Sequence, residues 1–249
     1  MATVVDFLRA SAALFWREVI RFLRQRQRIV GALGTPLVFW LLLGSGMNMI
    51  KYFFPGTIVM VLLFTAIFST ISIIEDRREG FLQGVLVSPA PRASIVMGKI
   101  AGGTALATLQ GLLLVACAPL VGVSLGLADF AFVLFSMVLV SFALTGLGFI
   151  IAWKLDSTQG FHAIMNLLLM PMWFLSGAFF SALNAPRWLQ LFITYNPLTY
   201  GVGALHIGLF GDAGQLGIAA PSRLFCVGVM VLFAAASFLV SMAVARKND

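Results

Sequence analysis

Six apolar stretches constrain what this chain can fold into more than any other feature of the sequence. A membrane-spanning helix needs roughly 20 apolar residues without charge. The expected spans are residues 30–50, 53–74, 98–125, 130–153, 162–183 and 224–245. Hydrophobic residues make up 61% of the chain and charged residues only 10%, which excludes an ordinary soluble domain, a coiled coil and a disordered chain. The sequence therefore predicts an all-α integral membrane protein with six transmembrane helices.

A seventh apolar stretch, residues 187–212, has a different character. Asn196-Pro197 interrupts it near the middle. A proline there breaks a helix, and the backbone groups that it frees would face lipid. We therefore predict that residues 184–212 form outer re-entrant helices between the fifth and sixth spans.

The distribution of positive charge supports six spans. If both termini are cytosolic, thirteen of the sixteen cations fall in inner segments, and only Lys51, Arg187 and Arg223 are outside. A seventh span would place Arg246 and Lys247 outside, against the positive-inside rule. The chain is therefore predicted to be multi-pass, with both termini in the cytosol.

Residues 1–28, ahead of the first span, form a predicted amphipathic helix. At 100° per residue, one face collects apolar side chains and the opposite face cations. The two sets are Val4, Leu8, Phe15, Val19 and Phe22 against Arg9, Arg17, Arg21, Arg24 and Arg28. One interpretation is an interface helix on the inner leaflet, with Arg17, Arg21 and Arg24 turned toward headgroups or a cytosolic partner. The other is an anchor that only fixes topology.

The inner loop at residues 75–92 opens with five consecutive charges and closes on Pro89 and Pro91. Two apolar-rich turns lie between, a pattern suited to docking in a groove of another protein. A solvated connecting loop is the alternative interpretation. The candidate docking residues are Glu75, Arg77, Arg78, Glu79, Gly80, Leu82, Val85, Leu86 and Pro89.

Small residues and prolines predict how the spans pack. Glycines let membrane helices approach closely, and Pro36, Pro119 and Pro171 are expected to kink three spans. The glycines concerned are Gly98, Gly102, Gly103, Gly111, Gly146 and Gly148. The aromatic side chains Phe174, Phe179 and Phe180 either line a path for an apolar substrate or contact lipid.

Motifs for chemistry within the chain are missing from the sequence. It has no phosphate-binding loop, and Ser176, His162 and His206 do not form a recognisable catalytic pattern. We expect no bound cofactor or metal and no catalytic residue. The net charge of +7 lies beside apolar stretches, so it indicates orientation in a lipid bilayer and no nucleic-acid binding.

Two stretches resemble motifs of a known family. EDRREGFLQGVLVSPAPR is similar to the form E-x-R-E-x-G-T-x-x-x-L-L-V-S-P that follows the second span in ABC-2-type transporter permeases, with Phe81 in place of the usual Thr. FLSGAFFSALNAPRWLQLFITYNPLTYGVGALH looks like the family's stretch after the fifth span, with Ser181 in place of Pro and His206 where Arg is common. The matching residues are Glu79, Gly80, Leu86, Val87, Ser88 and Pro89 in the first, and Ser176, Gly177, Phe180, Pro186, Trp188, Leu189, Asn196, Pro197, Leu198, Thr199 and Tyr200 in the second.

The resemblance implies an architecture and a function. Such permeases have a six-span transmembrane domain, here residues 29–249, and pair two permease subunits, here expected as a homodimer, with two copies of a separate ABC ATPase that binds ATP and Mg. By resemblance, residues 75–92 contain an ATPase-coupling helix and residues 184–212 help to close the outer exit. The chain would be the non-enzymatic permease subunit of an exporter in the bacterial inner (cytoplasmic) membrane. Its substrate would be amphipathic: a drug, a lipid or a lipid-linked glycan.

Two other classes of function stay open at this point. A membrane-embedded enzyme would need a polar catalytic cluster at one depth, and none is visible in the sequence. A non-transporting assembly subunit of a membrane complex could share the docking loop, and a measurement of transport would distinguish it.

Overall fold

A computed structural model describes residues 4–87, 91–179, 182, 185–212 and 221–246. Within these ranges the chain is helical and contains no strand. The α-helices are α1 Val4–Arg24, α2 Arg26–Gly46, α3 Ile50–Arg78, α4 Phe81–Leu86, α5 Arg92–Val115, α6 Leu127–Lys154, α7 Thr158–Trp173, α8 Arg187–Tyr195, α9 Pro197–Phe210 and α10 Arg223–Arg246. A 3-10 turn, Ala118–Val121, follows α5, and a π-helical turn, Phe174–Ala178, continues α7.

Six of these helices are long and apolar enough to cross a membrane, which confirms the predicted number of spans. They are α2, α3, α5, α6, α7 with its π-helical turn, and α10. The predicted first span starts four residues later than α2, because the arginines before Ile29 already lie in the helix. The all-helical membrane architecture expected from the apolar stretches is therefore correct.

The third span departs most from its predicted bounds. Helix α5 ends at Val115, ten residues before the predicted end. Pro119 lies in the 3-10 turn and Gly122 adopts a φ of +76°, so the chain turns there instead of continuing as a helix. The expected kink from Pro119 inside a span is therefore wrong, whereas Pro36 and Pro171 do lie within α2 and α7.

Helix α3 forms the centre of the bundle. It packs against α2, α5 and α6, while α1 lies along α5, and α10 and α9 pack on α6. In its most apolar window 89% of the residues of α3 are buried, compared with 22% for α2 and 28% for α10. The faces of α2 and α10 that this packing leaves uncovered are available to lipid or to a second subunit.

The predicted role of the glycines in close packing is confirmed. A Cβ at any of the six named positions would lie less than 3.0 Å from a neighbouring atom. At Gly98 it would be 2.7 Å from Cβ of Leu14 and 2.9 Å from the carbonyl oxygen of Ser11, and at Gly102 it would be 2.9 Å from Cβ of Glu18. These two glycines, one helical turn apart on α5, are what allow α1 to lie directly on that span.

Candidate functional site

Charged side chains meet where α1 crosses the end of α3 and the start of α5. We call this group the ionic cluster; its members are Arg17, Glu18, Arg21, Arg28, Ser72, Glu75, Asp76 and Lys99. Three carboxylates face four cations, and the centre is cut off from solvent. The side chains of Asp76, Lys99 and Glu18 are 0%, 3% and 4% exposed, respectively.

Lys99 lies at the centre of the ionic cluster. Its ammonium group donates to Oε1 of Glu18 at 2.5 Å, to Oγ of Ser72 at 3.1 Å and to Oδ2 of Asp76. Ser72 in turn donates to Oε2 of Glu18 at 2.5 Å. All three donor positions of the ammonium are therefore used, as a buried lysine requires. Lys99 thereby joins α1, α3 and α5 at one point.

Arg17 and Arg21 close the outer side of the ionic cluster. Arg17 holds Asp76 with two parallel bonds of 2.8 and 2.6 Å, the geometry that makes arginine–carboxylate pairs strong. Arg21 donates to Asp76 at 2.5 Å and to Glu75 at 2.8 Å, and Arg28 also donates to Glu75. Burial alone would lower the pKa of Arg17, but the hydrogen bond and charge of Asp76 raise that pKa above its usual value.

The short helix α4 is attached to the ionic cluster through Arg17. The guanidinium carbon of Arg17 lies 3.7 Å from the centre of the Phe81 ring, a cation–π contact. Gly80 ends α3 with a φ of +76° and begins α4, a conformation that suits glycine. Phe81, which replaces the threonine of the family motif, therefore contacts the same side chain that binds Asp76.

The predicted docking residues divide into two groups. Arg77 and Arg78 do not face solvent freely. Arg77 donates to Oδ1 of Asp156 at 2.8 Å and to the carbonyl of Trp153, and Arg78 donates to the carbonyl of Asp156 at 2.9 Å. Both arginines thus bind the connection between α6 and α7. Leu82 is buried in the core at 3% exposure.

The remaining docking residues lie nearer the surface. Glu79 is 61% exposed, with Oε1 3.5 Å from Arg21. Val85 and Leu86 are half-buried and pack against the core, and Val87 is 87% exposed. Pro89 lies outside the described residues. The outward surface around α4 therefore differs from the full set that the sequence suggested. It consists of Glu79, Phe81, Gln83, Gly84 and Val87, with Leu86 partly exposed beside them.

The predicted faces of α1 are only partly correct. The side that packs on the bundle carries Ser11, Leu14, Glu18 and Phe22, whereas Val4 and Leu8 are exposed. Arg17 and Arg21 enter the ionic cluster, and Arg24 stays exposed. A helical wheel based on hydrophobicity alone could not place Glu18 in the packed face. An acid is favourable there only because Lys99 lies opposite it.

The second motif stretch builds a separate hydrogen-bonded unit at the other end of the bundle. Asn196 Nδ2 donates to the carbonyls of Met172 and Leu175 at 2.6 and 2.8 Å, and its Oδ1 accepts from the backbone of Leu198 at 3.0 Å. Asn196 thereby begins α9 and holds the π-helical turn at once. The two helices α8 and α9 that meet here are not among the candidate spans; their re-entrant nature stays a prediction.

Two of the three candidate path residues belong to an aromatic group beside this unit. The rings of Phe174 and Phe179 are 5.2 Å apart, and Phe179 is 5.7 Å from Phe53 and 6.4 Å from Trp173. Phe180 lies outside the described residues. Trp173 donates its indole N–H to the carbonyl of Gly56 at 2.8 Å, so the aromatic group is fixed against α3.

Comparison with known proteins identifies the chain. Residues 9–210 match the ABC-2 type transporter family. The chain belongs to this family. It is 24% identical to the inner membrane transport permease YadH of Escherichia coli K12, over 96% of this chain and 95% of that protein. It is also 24% identical to nodulation protein J of Rhizobium leguminosarum bv. viciae, over 88% of this chain and 87% of the relative. The putative transport permease ycf38 of Cyanophora paradoxa is 25% identical, over 79% and 72% of the two chains.

For this ABC-2 permease, the residues that sequence reasoning missed are Glu18, Ser72, Asp76 and Lys99. Lys99 and Asp76 were visible as charges at the ends of spans, and Glu18 as an acid in a strongly basic helix. Each charge would be costly to bury alone, and each is stabilised only by the others. The signal in the sequence was Glu18, an acid among the cations of α1 whose partner is distant in sequence.

Proposed function

We propose that this ABC-2 permease is the membrane subunit of an ATP-driven exporter, powered by a separate ABC ATPase. The observation that carries the proposal is the attachment of α4 to three other helices through the ionic cluster. A coupling element must move with the spans when a partner pushes on it. Arg17 joins Phe81 of α4 to Asp76 of α3, and Lys99 joins Asp76 to α5.

Force on α4 would also reach a second part of the bundle. Arg77 and Arg78, next to α4 in the chain, bind the connection between α6 and α7 through Asp156. A displacement of α4 by the ATPase would therefore act on α3, α5 and α6 together. Glu79, with its exposed carboxylate, and Leu86 and Val87 supply the surface that the ATPase would contact.

The orientation and the assembly belong to the same proposal. The ionic cluster and α4 would face the cytosol, where the ATPase binds ATP and Mg²⁺, and both termini would be cytosolic. Two copies of the permease would pair, with the substrate path between them, because within one subunit the spans pack tightly around α3. The Phe174 and Phe179 rings and the Asn196 unit would lie near the outer end of that path.

The substrate class follows from the character of the spans. Their surfaces are largely apolar, and the ionic cluster lies at one end of the bundle, outside the membrane centre. We propose an amphipathic substrate, such as a drug, a lipid or a lipid-linked glycan, that enters from the inner leaflet. The relatives named transport permeases fit this role.

The decisive experiment measures association between the full permease and the ABC ATPase proposed as its partner. Glu79→Ala and Leu86→Asp should each weaken binding more than tenfold, since loss of a charge or apolar contact at an interface has effects of about 2–5 kcal/mol. Asp129→Ala is the matched control for Glu79, because Asp129 is also exposed but lies at the opposite end of the bundle, where it pairs with Arg223.

Three outcomes would contradict the proposal. Unchanged ATPase binding by both variants would make residues 75–92 a connector only. ATP hydrolysis by the purified permease alone would mean that the chain contains its own nucleotide site. Tight ATPase binding without export by vesicles that contain the complex would favour an assembly subunit.

A further inference from the structure

The junction of α1 and α2 carries two arginines that the ionic cluster does not use. Arg24 is the last residue of α1 and Arg26 the first of α2, and Gln25 between them breaks the helix with a φ of −96° and ψ of 71°. Both arginines are exposed, and neither forms a salt bridge with another described residue. Their neighbours Arg21 and Arg28 are bound to Glu75, so the junction holds two unneutralised charges side by side.

Two hollows meet at this junction. One, of about 480 Å³, is lined by Arg24, Gln25, Arg26, Gln27 and Arg28. The other, of about 540 Å³, shares Arg24 and Gln25 and continues along α1. The two basic side chains therefore border a recess in the surface, where a bound group can contact several of them at once.

Apolar side chains flank the junction on both helices. Ile20 and Leu23, within one turn of Arg24, are each 48% exposed, and Val30, one turn after Arg26, is 67% exposed. Water is an unfavourable neighbour for these side chains, whereas lipid chains are not. Because α2 is the first span, the junction lies at the membrane boundary, where a headgroup and its acyl chains are both in reach.

From these observations we propose that the α1–α2 junction binds an anionic phospholipid, phosphatidylglycerol being the type. Arg24 and Arg26 bind the phosphate, and the acyl chains lie along Leu23 and Val30. Basic recesses beside membrane helices bind such headgroups through charge. The lipid holds the start of the first span next to the ionic cluster. This inference is independent of the proposed coupling to an ATPase.

The test uses the full chain, purified in a non-ionic detergent, and native mass spectrometry with phosphatidylglycerol and phosphatidylcholine of identical acyl chains. The wild type should retain phosphatidylglycerol preferentially. The double variant Arg24→Gln/Arg26→Gln should lose on the order of tenfold in affinity for it, from the removal of two surface cations. Arg24→Lys/Arg26→Lys should restore most of the binding.

The matched control is Arg9→Gln/Lys154→Gln, which removes the same charge at exposed positions of α1 and α6. It should keep the preference for phosphatidylglycerol, and an equal loss would overturn the site in favour of general surface charge. Acyl-free glycerophosphoglycerol should not displace phosphatidylglycerol at an equal concentration. Displacement would mean that the junction binds the phosphate group alone, and it would refute the lipid site. Unchanged lipid retention by Arg24→Gln/Arg26→Gln, together with weaker ATPase binding, would make the junction a protein contact and also refute the proposal.

Discussion

Lys99 lies 3% exposed between the carboxylates of Glu18 and Asp76. A buried charge is tolerated only when nearby groups satisfy it, and removing one member of such a set leaves the others uncompensated. Arg17 and Arg21 also bind Asp76, so Asp76 keeps partners when Lys99 is absent, whereas Glu18 keeps only Arg17 and Ser72. The ionic cluster is therefore asymmetric, and Glu18 depends most strongly on the lysine.

We expect Lys99→Met to lower the free energy of unfolding by about 3 kcal/mol, or the melting temperature by roughly 6–12 °C. Adding Glu18→Gln should recover part of that loss, because no uncompensated acid then faces the methionine. Thermal unfolding of the full chain in detergent measures both. Lys154→Met is the control at an exposed position of α6, with an expected change below about 0.5 kcal/mol. An equal effect of the two lysine substitutions would mean that Lys99 does not stabilise the ionic cluster. The absence of any recovery by Glu18→Gln would refute the asymmetry.

The position of helix α1 depends on a close steric fit against α5. Gly98 and Gly102 give it a groove on α5, and the ionic cluster fastens it beside that groove. The opposite side of α1 carries the exposed residues Trp16 and Ile20, which suit the apolar part of a lipid leaflet. The helix is thus held to the bundle by shape and charge, and its exposed apolar face would contact the bilayer in the proposed arrangement.

Gly98→Ala should loosen this contact at a cost of about 1–3 kcal/mol, because the new methyl would lie 2.7 Å from Leu14 and 2.9 Å from a backbone oxygen. Trypsin should then cut faster after Arg17 and Arg21, whose guanidinium groups are bound in the intact protein. Gly34→Ala, at a position of α2 with nothing within 4 Å, should leave the rate of cleavage unchanged. Equal cleavage rates in the two variants would mean that α1 does not depend on the glycine groove.

For the whole molecule, the ionic cluster and Asn196 unit make the two ends of the bundle chemically different. One end gathers α1, α4 and the ionic cluster, and the other carries α8 and α9 with their backbone hydrogen bonds. Asp129 and Arg223 form an exposed pair at the second end, 3.0 Å apart. This asymmetry agrees with the excess of cations that the sequence assigns to inner segments.

Reporter fusions after residues 90, 156 and 249 should therefore read as cytosolic, and fusions after 126 and 195 as external. Single-cysteine labelling from outside intact cells provides an independent check at the same sites. An external result at 249 would mean that residues 187–212 cross the membrane, so that α8 and α9 together act as a seventh span.

The membrane architecture could be predicted from the sequence because lipid imposes a rule on every residue in a span. The spacing of charges gives seven apolar stretches, and Asn196-Pro197 together with the positive-inside rule reduces them to six spans. The end of α5 was missed because the residues up to Leu125 are apolar, while Pro119 and Gly122 set a turn that hydropathy does not register. Glu79 lies at the surface, as the docking prediction requires, whereas Leu82 turns inward because one face of α4 packs on α3.

The ionic cluster could not be predicted for a different reason. Glu18, Asp76 and Lys99 are separated by 58 and 23 residues along the chain, and no local period connects them. Their contact exists only because α1 folds back on α5 at Gly98 and Gly102. Opposite charges in separate segments can pair in many ways, and the one realised depends on helix packing.

This arrangement also sets the order in which the contacts of the ionic cluster can form during synthesis. Glu18 and Asp76 are synthesised before Lys99, and until residue 99 emerges they have only Arg17, Arg21 and Ser72 as partners within the cluster. The contact between α1 and Lys99 can therefore form only after the third span has been synthesised. A chain that lacks residues 4–24 should insert its spans but leave the Gly98–Gly102 groove bare and Lys99 short of one carboxylate. We expect membrane proteases to degrade such a chain. Docking of α1 would then distinguish a fully assembled bundle from an incomplete one.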